Sequence, residues 1–256
     1  QAGLPIMVMK SFVEIGREFA NIEPEHIGHS LVFEEPIGVC TFITPWNYPL
    51  HQTIGKVAPA LVAGCTMILK PSSETPLNAF LLTDIIDSVG LPAGVFNLVT
   101  GAGRTVGEAL CVHPEVDMIS ITGSTEAGAR IAELGAPTVK RICQELGGKS
   151  ANVILNGADL GKAVPAGITG MMLNCGQTCT ALTRMIVPRN QQDEVVNLAI
   201  NALDSLSMGD PTNDEHFLGP LVSASQKSTV QDYIRTGINE GARLVAGGPD
   251  DPEGYP

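Results

Sequence analysis

The 256-residue sequence is short of charge. Only 16% of its residues are Asp, Glu, Lys or Arg, against about 25% in an average globular domain. Disordered chains are charge-rich and poor in apolar groups, so a 44% apolar content argues against disorder. Basic residues are scarcer still: 15 Lys and Arg against 27 Asp and Glu give a net charge of −12. The basic footprint of a nucleic-acid binder is therefore missing, and no nucleic-acid partner is expected, although a local cationic cleft for a phosphate stays open. Long apolar runs are missing as well. None reaches the ~18 residues a membrane span needs, and the longest candidates, 57–65 and 95–99, are broken or bounded by Pro and Gly, so no membrane is expected as a partner. The six cysteines at 40, 65, 111, 143, 175 and 179 form no CxxC pair. A chain of this size needs no disulfide staples, which predicts a reducing, cytoplasmic compartment with every cysteine buried or catalytic. No His or third Cys stands at ligand spacing from Cys175 and Cys179, so no metal is expected.

What is present is alternation. Residues 38–44 (GVCTFIT) are rich in β-formers and end at Pro45, which predicts a buried strand. The same reading predicts strands over 65–69, 95–99, 117–121 and 139–144. Helices are predicted over 51–62, 76–89, 104–112 and 125–134; in the second, Pro76 stands at the first turn and Gly90 just past the end. This order implies an α/β fold, a doubly wound parallel Rossmann-like sheet. Ligands of such sheets sit beyond the carboxyl ends of the strands, which directs attention to 44–49, 70–75, 100–103 and 122–128. A helix over 7–19 and an edge strand or hairpin arm over 31–36 precede the sheet. After Gly148 a strand over 151–155, a helix over 159–173 capped by Asp159, a strand over 185–188 and helices over 191–205 and 225–240 predict a second α/β domain, with the boundary near Gly147–Gly148.

Two look-alikes of nucleotide motifs fail. Gly101–Gly107 is one residue too long for the Rossmann fingerprint, and Gly147-Gly148-Lys149-Ser150 lacks the glycine a P-loop needs where Cys143 stands. Other residues suit catalysis, each with a plainer alternative. Cys179, in the loop Asn174-Cys175-Gly176-Gln177-Thr178-Cys179, can present its sulfur beside backbone N–H groups or be an inert buried thiol. Glu145 closes a predicted strand before Gly147-Gly148 and is a general base or a solvated loop carboxylate. Asn47, between Pro45 and Pro49, is a rigid amide donor for an oxyanion or a helix cap. Gly123-Ser124-Thr125 opens a helix and binds phosphate or supplies an ordinary cap.

Taken together, Pro45–Pro49, Lys70-Pro71-Ser72, Gly123–Gly128, Glu145–Lys149 and the Gly-Gln-Thr-Cys179 loop resemble the aldehyde dehydrogenase superfamily in order and spacing, the glutamate lying 34 positions before the cysteine. The resemblance covers essentially the whole chain and is to the bacterial non-acylating, broad-substrate type. It implies oxidation of an aldehyde to a carboxylic acid, with Cys179 as nucleophile, Asn47 and the Cys179 N–H at the oxyanion, and Glu145 activating water. It implies NAD or NADP as cofactor, with Lys70, Ser72 and Ser73 at the adenosine ribose, Ser124 at the pyrophosphate, and Thr44, Pro45, Trp46, Gly103, Gly107, Thr122, Gly123, Leu146 and Gly147 lining the rest. It further implies a helical stub of the cofactor domain at 1–17, an oligomerisation hairpin at 18–36, the cofactor-binding domain at 37–147 and an incomplete catalytic domain at 148–256. The chain is thus expected to be a central fragment of a cytoplasmic homo-oligomer, a dimer or tetramer. A non-catalytic structural relative and a coenzyme A-acylating semialdehyde dehydrogenase are the alternatives; Glu145 disfavours the second.

The sequence departs from the family at one informative place. Many NAD-preferring members carry Glu three residues after the lysine, where it grips the ribose hydroxyls. Here that position is Ser73, and Glu74 falls one later. A carboxylate at that point repels a 2′-phosphate and a serine does not. NADP is therefore expected to be accepted comparably to NAD. Comparison of kcat/KM with the two cofactors checks this; an NAD preference above about 100-fold, roughly 2.7 kcal/mol, would overturn it.

Overall fold

In the computed structural model, which describes residues 1–252, the chain divides into two units, Gln1–Leu146 and Gly147–Pro256. The first begins with helix α1 (Gly3–Phe19) and a hairpin of β1 (Glu25–Ile27) and β2 (Ser30–Val32). There follow β3 (Val39–Ile43), α2 (Pro49–Val62), β4 (Thr66–Lys70), α3 (Leu77–Ser88), β5 (Phe96–Leu98), α4 (Glu108–Val112), β6 (Met118–Gly123), α5 (Thr125–Gly135) and β7 (Arg141–Leu146). Strands β3 to β7 form one parallel sheet in the order β5-β4-β3-β6-β7.

Side chains of successive strand residues point to opposite faces, and β3 shows the consequence. Cys40 and Phe42 join Val57 and Ala60 of α2, Met67 and Leu69 of β4, and Ala79 of α3 in one core. Val39 and Ile43 pack on the other face with Cys111 of α4, Ile119 and Ile121 of β6, and Ile131 of α5. Helices therefore cover both faces, and central strands buried on both sides read as near-continuous apolar runs. Helix α1 packs on α2, with Val8, Met9 and Phe12 against Ile54 and Ala58.

The second unit pairs β8 (Ala151–Val153) with β9 (Arg184–Ile186) in parallel, and packs α6 (Leu160–Met172) on α7 (Gln192–Asp204) through Val164, Ile168, Val195 and Ala202. Helix α8 (Ala224–Asn239) follows.

Several expectations need correction. The strand expected over 139–144 is β7 at Arg141–Leu146, because Val139 is left-handed (φ 54°) and 89% exposed, ending a short helical turn instead of starting a strand. Glu145 therefore lies inside the ladder, opposite Thr122. The helix expected over 104–112 is a wide π turn at Gly103–Gly107 followed by α4. The arm expected over 31–36 is the shorter β2, paired with β1. Asp159 occupies the N-cap of α6 but makes no capping bond; its carboxylate pairs with Lys162 at 3.1 Å. Not every cysteine is buried or catalytic. Cys143 is exposed, since β7 is an edge strand that turns Ile142 towards the core and Cys143 away from it. The expected catalytic segment runs to residue 256, and its last four positions lie outside the described residues.

Leu69, in β4, is fully buried. Leu69→Ala is expected to destabilise the first unit by about 2–5 kcal/mol, read as a lower midpoint in urea denaturation.

Candidate active site

The chain runs from β3 to β5 in one direction across the sheet, then returns to β6 and β7 on the other side of β3. The switch point between β3 and β6 is where such sheets open a crevice. A cavity of about 260 Å³ adjoins it, lined by Ile43 and Ile121 from these strands, by Gly103, Gly107 and Glu108, by Ser124 at the start of α5, and by Ala127 and Arg130 along that helix. The Ser124 hydroxyl accepts from Ala127 N–H at 3.1 Å, so the capping reading of Ser124 holds, and the same residue lines the cavity. Gly103 and Gly107 line it without a side chain. Arg130 closes one side through ion pairs to Glu108 (2.9 Å) and Glu133 (2.8 Å). The hydrogen bond from Arg130 holds the Glu108 carboxyl below the usual carboxylate range. Arg104, Glu108 and Arg130 were not singled out by sequence, because their meeting depends on how α4 and α5 lie on the sheet.

The expected ribose lysine, Lys70, is buried. Its ammonium donates to the Pro71 carbonyl at 2.8 Å and to the Gly101 carbonyl at 3.2 Å, tying the loops after β4 and β5 together. Burial pushes its pKa down from the ordinary lysine value. Thr44 N–H donates to the Lys70 carbonyl, extending the β3–β4 ladder by one bond. Ser72 Oγ accepts from Glu74 N–H at 3.3 Å, while Ser73 and Glu74 are exposed. Trp46 is tied to the same region, its carbonyl accepting from Thr75 Oγ1 at 3.4 Å.

Asn47 stands two residues after Pro45 in the turn after β3. Its side-chain oxygen accepts from Tyr48 N–H at 3.0 Å, which assigns the acceptor atom of the amide to the backbone. The N-cap of α2 is Tyr48, not Asn47, and Pro49 opens the helix. Glu145 is exposed on β7, between Gln144, whose amide donates to the Gly128 carbonyl at 2.6 Å, and Leu146, which packs against Gly128. Thr122 Oγ1 donates to Gln52 at 3.2 Å, so the chain leaves the sheet after Gly123, at Ser124, from an anchored point. The first unit thus gathers Thr44, Pro45, Trp46, Asn47, Lys70, Ser72, Ser73, Gly103, Gly107, Thr122, Gly123, Ser124, Glu145 and Leu146 near the carboxyl edge of its sheet. Gly147 begins the second unit.

Cys179 belongs to the second unit. It is half-buried in the loop that follows α6, two residues beyond Gln177. No group of three or more His, Cys, Asp or Glu able to hold a metal occurs among the described residues. No helix among them is long and apolar enough to cross a membrane.

The sequence reading also missed Lys56. It is a buried lysine on the apolar face of α2, donating to Ser120 Oγ at 3.0 Å. A lysine inside the run Thr53, Ile54, Lys56, Val57, Ala58, Ala60 was the available signal. Burial lowers its pKa, and the charge of Glu145 acts in the opposite direction.

A doubly wound parallel sheet with a crevice at its switch point defines the nucleotide-binding α/β class. The comparisons narrow the class further. The sequence model of the aldehyde dehydrogenase family matches residues 6–256, and the chain belongs to that family. It is 54% identical over 230 residues to a 3-succinoylsemialdehyde-pyridine dehydrogenase of a Pseudomonas species, covering 90% of this chain and 48% of that protein. It superposes with a TM-score of 0.93 and 48% identity on a cysteine-to-alanine mutant of an aldehyde dehydrogenase from Pseudomonas syringae in complex with NAD+ and octanal, covering 98% of this chain and 52% of that one. A Mycobacterium tuberculosis aldehyde dehydrogenase complexed with NAD+ superposes at 0.94 with 39% identity, over 99% and 53%. The chain spans about half the length of the curated relatives it matches.

The Lys56–Glu145 coupling has a definite sign. At low pH the ammonium is charged in both folded and unfolded states. As pH rises through the lowered folded value the folded form sheds its proton first, so the penalty of burying the charge is relieved and stability rises with pH until the ordinary value of 10.5 is passed. Glu145→Gln removes the opposing charge and is expected to move the Lys56 titration to lower pH, read by NMR of isotope-labelled lysine; an unmoved titration would refute the coupling.

Proposed function

We propose that this chain is part of an NAD(P)-dependent aldehyde dehydrogenase that oxidises an aldehyde to a carboxylic acid. The observation that carries the reading is the cavity at the β3–β6 switch point, in a chain that also carries the cysteine loop. Apolar walls from Ile43 and Ile121 suit a base, and the amide end of α5 suits a pyrophosphate. Two glycines leave room for close approach, so the residues present fit a dinucleotide. Relatives of this fold are complexed with NAD+, one of them together with octanal. An exposed Ser73 where many members place a carboxylate leaves NADP acceptable beside NAD.

In this reading the Cys179 thiolate adds to the aldehyde carbon, forming a C–S bond and an alkoxide. The Asn47 amide and the Cys179 N–H donate to that oxygen. A bound NAD(P)+ would supply the hydride acceptor, so that collapse of the alkoxide leaves a thioester on Cys179. Glu145 removes a proton from water, the hydroxide adds to the thioester carbon, and the thiolate leaves as the acid departs. Covalent addition comes first because hydride leaves only from a tetrahedral carbon that bears an alkoxide oxygen, whose charge drives the collapse.

The division of labour in this reading is residues 1–17 and 37–147 for the cofactor, 18–36 for subunit association and 148–256 for the catalytic domain that carries the nucleophile, with Asn47 and Glu145 supplied from 37–147. The β1–β2 hairpin exposes Ile27, Leu31 and Val32, with Phe33 beside them, as expected of an element that pairs subunits of a homo-oligomer, dimer or tetramer. A cytoplasmic location completes the proposal.

Reduced-cofactor absorbance of the intact protein with an aldehyde panel tests it. Cys179→Ala is expected to abolish oxidation, and Asn47→Ala to lower kcat by about 10²–10³. Glu145→Gln is expected to give one burst of reduced cofactor and then stall with acylated enzyme. Full turnover by Cys179→Ala would overturn the mechanism.

A further inference from the structure

The loop carrying Cys179 has an unusual backbone. Asn174 (φ 53°), Cys175 (φ 56°) and Gly176 (φ 74°) are all left-handed. Gly adopts this region freely and Asn tolerates it, but for Cys it is disfavoured. Such a run persists only where the surroundings over-determine it.

Side-chain bonds from Asn174, Gln177 and Thr178 brace the loop within itself, and two of its side chains tie it to residues 219–222. The Cys175 sulfur accepts from Gly219 N–H at 3.2 Å, and its S–H donates to the Gly219 carbonyl at 3.3 Å. One thiol thus satisfies both backbone groups of a residue 44 positions away, much as a neighbouring strand would. Gln177 adds a second tie, its side-chain oxygen accepting from Val222 N–H at 3.0 Å. Both tethers lie within four residues of Cys179.

We infer that Cys175 is a positioning residue: its neutral thiol, bridging Gly219 N–H and C=O, holds the loop in the left-handed form that sets the sulfur and backbone N–H of Cys179. The inference rests on the reading of Cys179 as nucleophile. It separates the roles of the two loop cysteines, since Cys179 acts as a thiolate and Cys175 acts only while it keeps its proton. A thiolate at 175 would face the Gly219 carbonyl without a donor. A hydroxyl can replace the thiol because it also both donates and accepts; a methyl group cannot.

The test compares Cys175→Ala and Cys175→Ser with wild type in the intact protein. Active sites are counted by the burst of reduced cofactor, so that a loss of folded enzyme is not read as a loss of rate. Cys175→Ala is expected to lower kcat per active site, and iodoacetamide alkylation of Cys179 followed by peptide mass, by about tenfold, because small misplacements of reacting groups are costly. KM should change little. Cys175→Ser is expected to recover both rates to within about threefold of wild type. Unchanged per-site rates in Cys175→Ala, or rates in Cys175→Ser as low as in Cys175→Ala, would overturn the inference. Hydrogen exchange on wild type needs no variant to fold: the Gly219 amide is expected to exchange at least about tenfold slower than an unprotected amide, and exchange at the unprotected rate would also overturn it. If wild type oxidises no aldehyde, the enzymatic reading fails while the alkylation ratio and the exchange rate still decide the role of Cys175.

Discussion

Parallel pairing around β3 is the constraint from which the candidate site follows. Because β3 is flanked in parallel by β4 and β6, the ends of all three strands face the same edge. The register sets Ile43 beside Lys70 and Ile121. The next pair in turn sets Thr122 beside Glu145. The loops that bear Asn47, Ser72, Gly103 and Ser124 must therefore leave from one edge, although they are scattered over about eighty positions of sequence. An antiparallel strand in this place would send one of those loops to the opposite edge. Apolar side chains on both faces of β3 fix the register, since slipping by one residue would exchange Cys40 and Phe42 with Val39 and Ile43 between two different cores.

That edge is held by buried cations rather than by ion pairs. Lys70 spends its donors on two loop carbonyls, and Lys56 on a serine hydroxyl. Each accepts desolvation that lowers its pKa in exchange for a fixed position. The carbonyls bound by Lys70 belong to loops that have no regular partner, and backbone groups without a partner are costly when water is excluded. The chain's low charge content is thus compatible with charges concentrated at structurally decisive points. The outer side of the cavity is finished differently, by the exposed ion pairs of Arg130, where solvent screening leaves each pair with little weight in stability.

The six cysteines divide by environment. Cys40, Cys65 and Cys111 are small core residues, and burial pushes the Cys40 thiol up to about 12 and the Cys111 thiol to about 11. Cys143 is exposed on the edge strand, while Cys175 and Cys179 share a half-buried loop. A thiol's chemistry depends on its surroundings, so the same residue type fills a core, an edge, a tether and a candidate nucleophile.

The strands β3, β4 and β6, the helices between them and the doubly wound order were legible in the sequence, because apolar runs and Pro–Gly punctuation report local conformation. So were the motifs carrying Asn47, Glu145 and Cys179, because they are short and contiguous. The start of β7 was not: Val139 has strand propensity, yet ends a short helical turn in a left-handed conformation, its N–H donating to the Ala136 carbonyl. Nor was the π turn at Gly103–Gly107, which leaves no periodic signature over five residues. Lys56, the Arg130–Glu108 pair and the bond between Cys175 and Gly219 depend on residues 64, 22 and 44 positions apart meeting in space. The amino-acid sequence alone determined the fold class, the family and the residue types available for chemistry, since these follow from local pattern and contiguous motifs. Tertiary structure alone decided which polar groups are spent on holding the loops and which line the cavity, since that division is set by long-range packing and desolvation.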